Sequence, residues 1–169
     1  RNPRKSVALR EELRVVEEYL ALQRVRFGGR LHVVIETSPE VLTAQIPPLT
    51  LQPLVENAVL YGIEPLEEGG TIGVRAERID GDRLVISIDD DGAGMDAETV
   101  EMIRSDAPRI DDDSNVRIGI QNVRSRLALF FGDEQRFRIQ SDRERGTHIT
   151  MEIPLHEKAE TYGLYDTDR

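Results

Sequence analysis

Three short segments carry residues whose types and spacing could do chemistry. The first contains Asn57, which lies on a stretch with helical apolar periodicity and has Tyr61 four residues later on the same side. An amide carbonyl is a neutral oxygen ligand suited to Mg²⁺, which keeps waters and takes its other oxygens from substrate phosphates. Taken alone, an asparagine on a helix is more often solvated or a local cap.

The second segment is an acidic, glycine-containing run, Asp89 to Met95, that follows an apolar stretch. Gly92 and Gly94 allow the backbone to turn sharply and to lie against a flat ligand. An ionised carboxylate accepts hydrogen bonds and cannot donate them, so it could recognise an exocyclic amine such as that of adenine. A plain acidic turn is the alternative. An EF-hand calcium loop is excluded, because its first position would be Ser87 and the preceding residues predict a strand.

The third segment, Arg117 to Leu127, predicts a helix opened by Gly119 after a polar loop. The first backbone N–H groups of such a helix have no helical partner and stand at its positive dipole end. The segment is therefore a candidate anion site, although many helices begin in this way.

The elements that must position these segments alternate between the two periodicities. Helices are predicted over 6–27, 51–61 with Thr50 as N-cap, 97–105 and 119–131. Strands are predicted over 31–36, 44–46, 71–79, 83–89, 136–141 and 147–154. The strands in the C-terminal part of the chain are predicted to form hairpins, which favours an α+β fold. We expect a two-layer α/β sandwich with a mixed, mostly antiparallel sheet covered on one face by helices.

Composition excludes several classes of protein. The chain has 169 residues, a net charge of −10 and no cysteine, which excludes disulfides and thiolate metal sites and disfavours nucleic-acid binding or membrane-surface contact. No lysine stands in a P-loop context and no apolar run is long enough to cross a membrane. A cytoplasmic location is expected.

Together the three segments resemble one family of ATP-binding domains, which gyrase-type ATPases, a heat-shock chaperone, histidine kinases and mismatch-repair ATPases share. LQPLVENA resembles its N box, DDDGAGMD its first glycine box and RIGIQNVRSRL its second. The sequences of these motifs are most similar to those of the LytS-like sensor histidine kinases, in which a helix ending in RFG leads into LQPLVENA. The resemblance covers residues 9–155.

The resemblance implies ATP and Mg²⁺ as ligands and assigns roles to single residues. Asn57 would be the Mg²⁺ ligand, Asp90 would hold the adenine amino group, and Glu56 would be the N-box acid. The remaining nucleotide-binding residues would be Tyr61, Gly92, Gly94, Gly119 and Thr147. Residues 106–116 would form the ATP lid.

Four positions depart from the family pattern. Leu60 replaces a basic residue, Arg117 replaces the first glycine of the second glycine box, and Asp91 replaces an asparagine. Pro53 stands where many relatives have an acid or amide. Leu60 and Arg117 make a degenerate interaction module that binds no nucleotide one alternative to a kinase. A stand-alone ATPase is the other, although Pro53 occupies the usual place of the acid that would activate water.

The resemblance also implies an organisation and partners. Residues 1–28 would end a dimerisation helix, residues 29–156 would be the catalytic domain, and residues 157–169 would be a polar tail. The stripe of Leu9, Leu13, Val16, Leu20 and Phe27 either pairs with another chain or packs on its own domain. His32, His148 and His156 lie in or beside predicted strands and lack the context of a phosphoacceptor. We therefore expect that histidine upstream, in a membrane-anchored receptor that forms a homodimer and phosphorylates a response regulator.

Overall fold

The computed structural model describes residues 5–105 and 115–156. In this part of the chain the strands are β1 (Val7–Ala8), β2 (Leu31–Thr37), β3 (Gln45–Ile46), β4 (Gly70–Ile79), β5 (Arg83–Asp90), β6 (Arg136–Asp142) and β7 (Gly146–Pro154). The helices are α1 (Leu9–Phe27), α2 (Gln52–Asn57), α3 (Ala97–Ser105) and α4 (Asn115–Phe131). A π-helix, Ala58–Ile63, continues α2 without a break. Short 3-10 turns cover Gly28–Arg30, Pro39–Val41 and Gly132–Glu134.

Five strands form one mixed sheet in the order β2-β4-β5-β7-β6, while β1 and β3 make a small antiparallel pair. Strands β2 and β4 are parallel, and the other neighbours in the large sheet are antiparallel. Asp80 and Gly81, both with positive φ, make the tight turn from β4 to β5. The predicted α+β sandwich with a mostly antiparallel sheet is confirmed.

One face of the sheet is buried because apolar residues alternate with polar ones along its strands. In β5 the buried positions are Leu84, Ile86, Ile88 and Asp90. In β7 they include Ile149, Met151 and Ile153, which share this face. The same alternation that builds the core therefore places one carboxylate, Asp90, at the end of a buried row.

The helices pack against this apolar face and against one another. The apolar stripe of α1 could, from the sequence, either pair with another chain or pack on its own domain. In the structure it is buried in this chain's own core: Leu9, Leu13, Val16, Leu20 and Phe27. Within the described residues, no helix has the length and hydropathy to span a membrane.

Three predicted helix starts are wrong. Helix α1 begins at Leu9 and not at residue 6, because Val7–Ala8 form β1, which pairs with β3. The hydroxyl of Thr50 does not cap α2, which begins at Gln52; it donates to the carbonyl of Pro47 instead, at 2.6 Å. Helix α4 begins at Asn115, so Gly119 lies inside it and does not open it. A Cβ at Gly119 would lie 2.9 Å from Nδ2 of Asn57, so close packing between helices explains this glycine better than helix initiation does.

Candidate functional site

A cleft lies between the helical segment 52–63 and the ends of β5 and β7. Five of its twelve lining residues come from that helical segment, and the others from β5, the loop after it, α4 and β7. The lining consists of Leu54, Asn57, Ala58, Tyr61, Gly62, Ile88, Asp90, Gly94, Met95, Ile120, Thr147 and Ile149. Mostly apolar walls with a few convergent polar groups are typical of a small-molecule site.

Asp90 is the one ionisable carboxylate among these lining residues, and its side chain is 5% exposed. Burial raises the pKa of Asp90 to about 6, although hydrogen bonds from the backbone N–H groups of Gly92 and Thr147 act in the opposite direction. The bond from Gly92 to Oδ1 is 2.9 Å long. Above pH 6 the cleft therefore presents a buried, ionised acceptor to any ligand that carries an N–H donor.

Glycines pack closely against Asp90 and within the loop that follows it. A Cβ at Gly62 would lie 2.7 Å from Oδ1 of Asp90, and a Cβ at Gly92 would lie 2.3 Å from the backbone of Gly62. Gly94 and Gly146 have φ of 66° and 79°, and a Cβ on either would overlap a backbone carbonyl of a neighbouring strand. The loop after β5 therefore packs backbone to backbone on the π-helix, which Ala93 reinforces by donating to the carbonyl of Gly62 at 2.8 Å.

The predicted nucleotide-binding residues divide into two groups. Five line the cleft, namely Asn57, Tyr61, Asp90, Gly94 and Thr147. The other two do not line the cleft but pack against residues that do: Gly92 against Gly62, and Gly119 against Asn57. The ring of Tyr61 is 37% exposed, so it can cover a ligand at the mouth of the cleft.

Glu56, the predicted catalytic acid, does not line the cleft. Its Oε1 accepts a hydrogen bond from Nε2 of Gln52 at 2.9 Å. Burial and, next, the charge of Glu56 raise the pKa of Tyr19, which places the carboxylate on the side of α1. Glu56 therefore faces α1, whereas the next residue, Asn57, lines the cleft.

Ser141 is a residue of the site that the sequence did not reveal. Its hydroxyl accepts from the N–H of Met95 at 2.9 Å and lies 2.8 Å from the hydroxyl of Thr147 and 3.0 Å from the carbonyl of Gly146. It thereby joins the loop after β5 to the β6–β7 hairpin. A serine at the end of a strand carries no distinctive pattern, so no local signal could have identified it.

The departures from the family pattern lie around the cleft. The side chain of Leu60 is 39% exposed and does not line the cleft. Asp91 also lies outside the lining, and its Oδ1 accepts from the N–H of Thr71 at 2.7 Å. The side chain of Arg117 and residues 106–114 of the predicted lid lie outside the described residues. Among those described, no group of three or more histidine or acidic side chains is placed to hold a metal ion.

The chain has related proteins of known class. It is 36% identical over 148 residues to the sensor histidine kinase YesM of Bacillus subtilis strain 168 and 32% identical over 148 residues to the sensor histidine kinase YpdA of Escherichia coli strain K12. Each match covers 88% of this chain and 24% of the relative. The sensor protein LytS of Staphylococcus saprophyticus is 31% identical over 151 residues, 89% of this chain and 25% of that protein. The chain thus spans about a quarter of the length of these relatives.

Solved structures share the fold. The catalytic domain of the histidine kinase ThkA has a TM-score of 0.61 at 21% identity, covering 89% of this chain and 97% of that one. The mycobacterial sensor histidine kinase MprB has a TM-score of 0.61 at 17% identity, covering 91% and 99%.

Residues 47–157 match the family described as histidine kinase-, DNA gyrase B- and HSP90-like ATPases. This match contains all three motifs that suggested the family, and it implies that the domain binds ATP. The chain therefore belongs to the family of histidine kinase-, DNA gyrase B- and HSP90-like ATPases, and its relatives over most of its length include sensor histidine kinases.

Proposed function

We propose that this chain is the ATP-binding catalytic part of a sensor histidine kinase and supplies the γ-phosphate to a histidine elsewhere in a longer protein. The observation that carries the proposal is the buried carboxylate of Asp90 in a mostly apolar cleft that Asn57 also lines. A buried acceptor can bind the exocyclic amine of adenine, and an amide oxygen can serve as a neutral ligand of Mg²⁺ beside phosphate oxygens.

The adenine end of the cleft would be formed by β5, β7 and the loop after β5. Asp90 would accept from the exocyclic amine, Thr147 would support the same pocket, and Gly94 would let the backbone approach the base. Tyr61, at the rim, would cover the adenine or ribose. A backbone hydrogen bond and sheet pairing fix Asp90 and Thr147, which supports their assignment to the base.

The phosphate end would lie toward Asn57 and α4. Mg²⁺ would neutralise phosphate charge during transfer, and Asn57 would supply one of its ligands while waters and phosphate oxygens supply the others. Gly119 keeps α4 close to Asn57, and the N-terminal turn of α4 would face the phosphates. Glu56 would act as the catalytic acid or base only after exchanging its bond to Gln52, since its carboxylate lies outside the lining.

The phosphoacceptor would lie on another part of the full-length protein. His32 and His148 lie in strands, His156 lies two residues beyond the end of β7, and none of the three lines the cleft. We expect no phosphohistidine on this chain alone after incubation with Mg·ATP. Mass-spectrometric detection of phosphate on any of the three would contradict this assignment.

The full-length protein would be a membrane-anchored homodimer with this domain in the cytoplasm, and a response regulator would receive the phosphate. Helix α1 supports the dimer because it has a second apolar stripe that does not face the core. Val15, Leu22 and Val25 on this stripe are 41%, 70% and 84% exposed. We therefore propose that residues 1–28 end the dimerisation segment while their inner face packs on the domain.

Calorimetric titration with ATP, with and without Mg²⁺, tests the proposal. We expect Mg²⁺-dependent binding that Asp90→Ala abolishes and that Asp133→Ala, an exposed control, leaves intact. Absence of binding by the parent chain would favour an interaction module, for which the exposed Leu60 is the supporting observation. Steady phosphate release from ATP would instead indicate a stand-alone ATPase.

A further inference from the structure

The segment 47–51, which leads into α2, is held from one side by a buried carboxylate of α1. Oε1 of Glu12 accepts from the backbone N–H groups of Thr50 at 2.8 Å and Leu51 at 3.1 Å, and Oε2 accepts from that of Leu49 at 3.3 Å. Glu12 is 8% exposed. Hydrogen bonds to a charged group are stronger than neutral ones, and burial reduces their screening by solvent.

The same segment is held from the other side by α4. The guanidinium of Arg126 donates to the carbonyl of Pro48 at 3.1 Å and also to the carbonyl of Leu49. Glu12 on α1 thus accepts from the N–H groups of consecutive peptide units, and Arg126 on α4 donates to their C=O groups. The first i→i−4 bond that follows runs from Val55 to Leu51, so the clamped residues lead directly into α2.

Leu49 has a backbone conformation that is unfavourable for its type. Its φ is 59°, in the left-handed region, where a Cβ lies too close to the following carbonyl oxygen. Such a conformation persists when the surroundings determine it, and such positions cluster at functional sites. The clamp by Glu12 and Arg126 is what holds Leu49 in this geometry.

The position of α2 matters because the helical segment it begins forms one wall of the cleft. Leu54, Asn57, Ala58, Tyr61 and Gly62 all lie within fourteen residues of the clamp, on one continuous helix. This continuous helix covers only residues 52–63, too few to be stable without external contacts. A shift at its start would therefore move Asn57 relative to Asp90.

We propose that Glu12, with Arg126 as its counterpart, is a positioning residue that sets the start of α2 and thereby the geometry in which Asn57 meets Mg·ATP. The proposal rests on the proposed function, because it concerns the affinity for that ligand. Helix α1 would then be more than a packing element. It connects its outer surface to the nucleotide site through one buried side chain.

The test compares Glu12→Ala with Glu17→Ala, which removes the same side chain from an exposed position of the same helix. Calorimetry with Mg·ATP is carried out well below the unfolding temperature of each variant, and hydrogen exchange follows the amides of Thr50 and Leu51. We expect Glu12→Ala to bind Mg·ATP about tenfold more weakly and to exchange these amides faster, while Glu17→Ala matches the parent. Glu12→Gln keeps one acceptor oxygen and should lie between the two.

Each outcome decides between supporting and overturning the proposal. An unchanged Kd in folded Glu12→Ala, with only a lower unfolding temperature, would mean that Glu12 stabilises the fold without positioning the site. If Glu12→Ala does not fold, Arg126→Gln provides the same comparison from the other side of the clamp. Failure of the parent chain to bind Mg·ATP would overturn the proposed function itself, whereas normal binding by both clamp variants would overturn this inference alone.

Discussion

Asp90 occupies a position that its strand would otherwise fill with an apolar residue. Leu84, Ile86 and Ile88 precede it in the buried row of β5, and the loss of water around its carboxylate disfavours the charged form. The chain nevertheless retains the charge at neutral pH, supported by the N–H groups of Gly92 and Thr147. A group that costs stability and lines a cleft is a candidate for ligand recognition.

The first prediction concerns the stability cost of Asp90. Its pKa is about 6 in the folded domain and 3.8 in a model carboxyl, so folded and unfolded chains differ in protonation between these values. Stability should fall as pH rises through this window, by about 3 kcal/mol in total for this group. Asp90→Asn should therefore raise the free energy of unfolding at pH 7.5 by up to about 3 kcal/mol and leave it unchanged near pH 3.5, as urea denaturation can measure.

Asp133→Asn serves as the control for that measurement, because Asp133 is exposed. We expect no difference from the parent at either pH. Equal stability of Asp90→Asn and the parent at pH 7.5 would show that the carboxylate carries no desolvation cost.

The second prediction concerns the pH dependence of nucleotide binding. Protonation of Asp90 places an O–H donor where the amine of adenine requires an acceptor. The affinity for Mg·ATP should therefore fall as pH decreases through about 6, the pKa of Asp90. Calorimetry at pH 7.5, 6.0 and 5.2 would show this, and a flat profile would exclude an ionised Asp90 as the adenine acceptor.

At the residue scale, the sequence predicts which side chains belong near the site better than it predicts their orientation. Asn57, Asp90 and Thr147 line the cleft as expected, because each lies in a motif whose pattern is recognisable without coordinates. Glu56 lies in the same motif as Asn57 but faces away from the lining. Ser141 could not be predicted, because its role depends on hydrogen bonds between a hairpin and a distant loop.

At the scale of elements, the helical wall of the cleft is longer than its sequence pattern predicts. The π-helix extends through Gly62 to Ile63 and closes with the N–H of Glu64 donating to the carbonyl of Val59 at 2.9 Å. Wider turns of this kind are frequent at functional sites. The sequence places a stop at Gly62, but that glycine is required by Asp90, whose Oδ1 would lie 2.7 Å from a Cβ there.

The third prediction tests the contact between this wall and α4. Gly119→Ala places a methyl group 2.9 Å from Nδ2 of Asn57, so Asn57 or α4 must move. Alanine also raises the helix propensity by about 1 kcal/mol, so we expect unchanged or higher stability together with a Kd for Mg·ATP weakened about tenfold. Calorimetry and thermal unfolding separate the two effects.

Gly29→Ala is the matched control, because a Cβ at Gly29 meets nothing within 4 Å and its φ is ordinary. It should leave the affinity unchanged. Equal affinities of the Gly119→Ala and Gly29→Ala variants would mean that Asn57 does not need its present position.

The fourth prediction concerns the joint between the loop after β5 and the β6–β7 hairpin. Ser141→Ala leaves the N–H of Met95 without its acceptor and removes a partner of Thr147. Loss of these bonds should lower stability by about 1–2 kcal/mol and weaken ATP binding, because Met95 and Thr147 both line the cleft. Ser87→Ala, on the opposite face of the sheet and without a side-chain bond among the described residues, should change neither quantity. Identical behaviour of the two serine variants would contradict the proposed joint.

At the scale of the whole molecule, α1 belongs to the same core as the domain that the sequence places at residues 29–156. Its buried stripe joins residues of α2, α4 and the sheet in one hydrophobic cluster. The family match begins only at residue 47, so the motif-bearing region alone does not define the folding unit. A sequence stripe identifies an apolar face but does not indicate which surface it covers, which is why two readings of α1 stayed open.

The fifth prediction follows from the energetics of that core. Each of the five buried apolar residues of α1 contributes about 2 kcal/mol of burial, so the stripe contributes roughly 10 kcal/mol. Small domains have a net stability of about 5–15 kcal/mol, so a chain that lost these contacts would be largely unfolded. Val16→Asp buries a charge at a position with 0% exposure and should abolish cooperative thermal unfolding.

Val25→Asp introduces the same charge on the same helix, but at a position that is 84% exposed. The isolated domain should therefore keep its unfolding temperature and its affinity for Mg·ATP, while the full-length protein should lose dimerisation as judged by light scattering. This pair of variants separates the two faces of α1, because the inner face belongs to the core and the outer face is the one proposed to form the dimer. If the Val25→Asp protein still forms a dimer, the stripe of Val15, Leu22 and Val25 does not bind a partner helix. Helix α1 would then serve only to complete the core of its own domain.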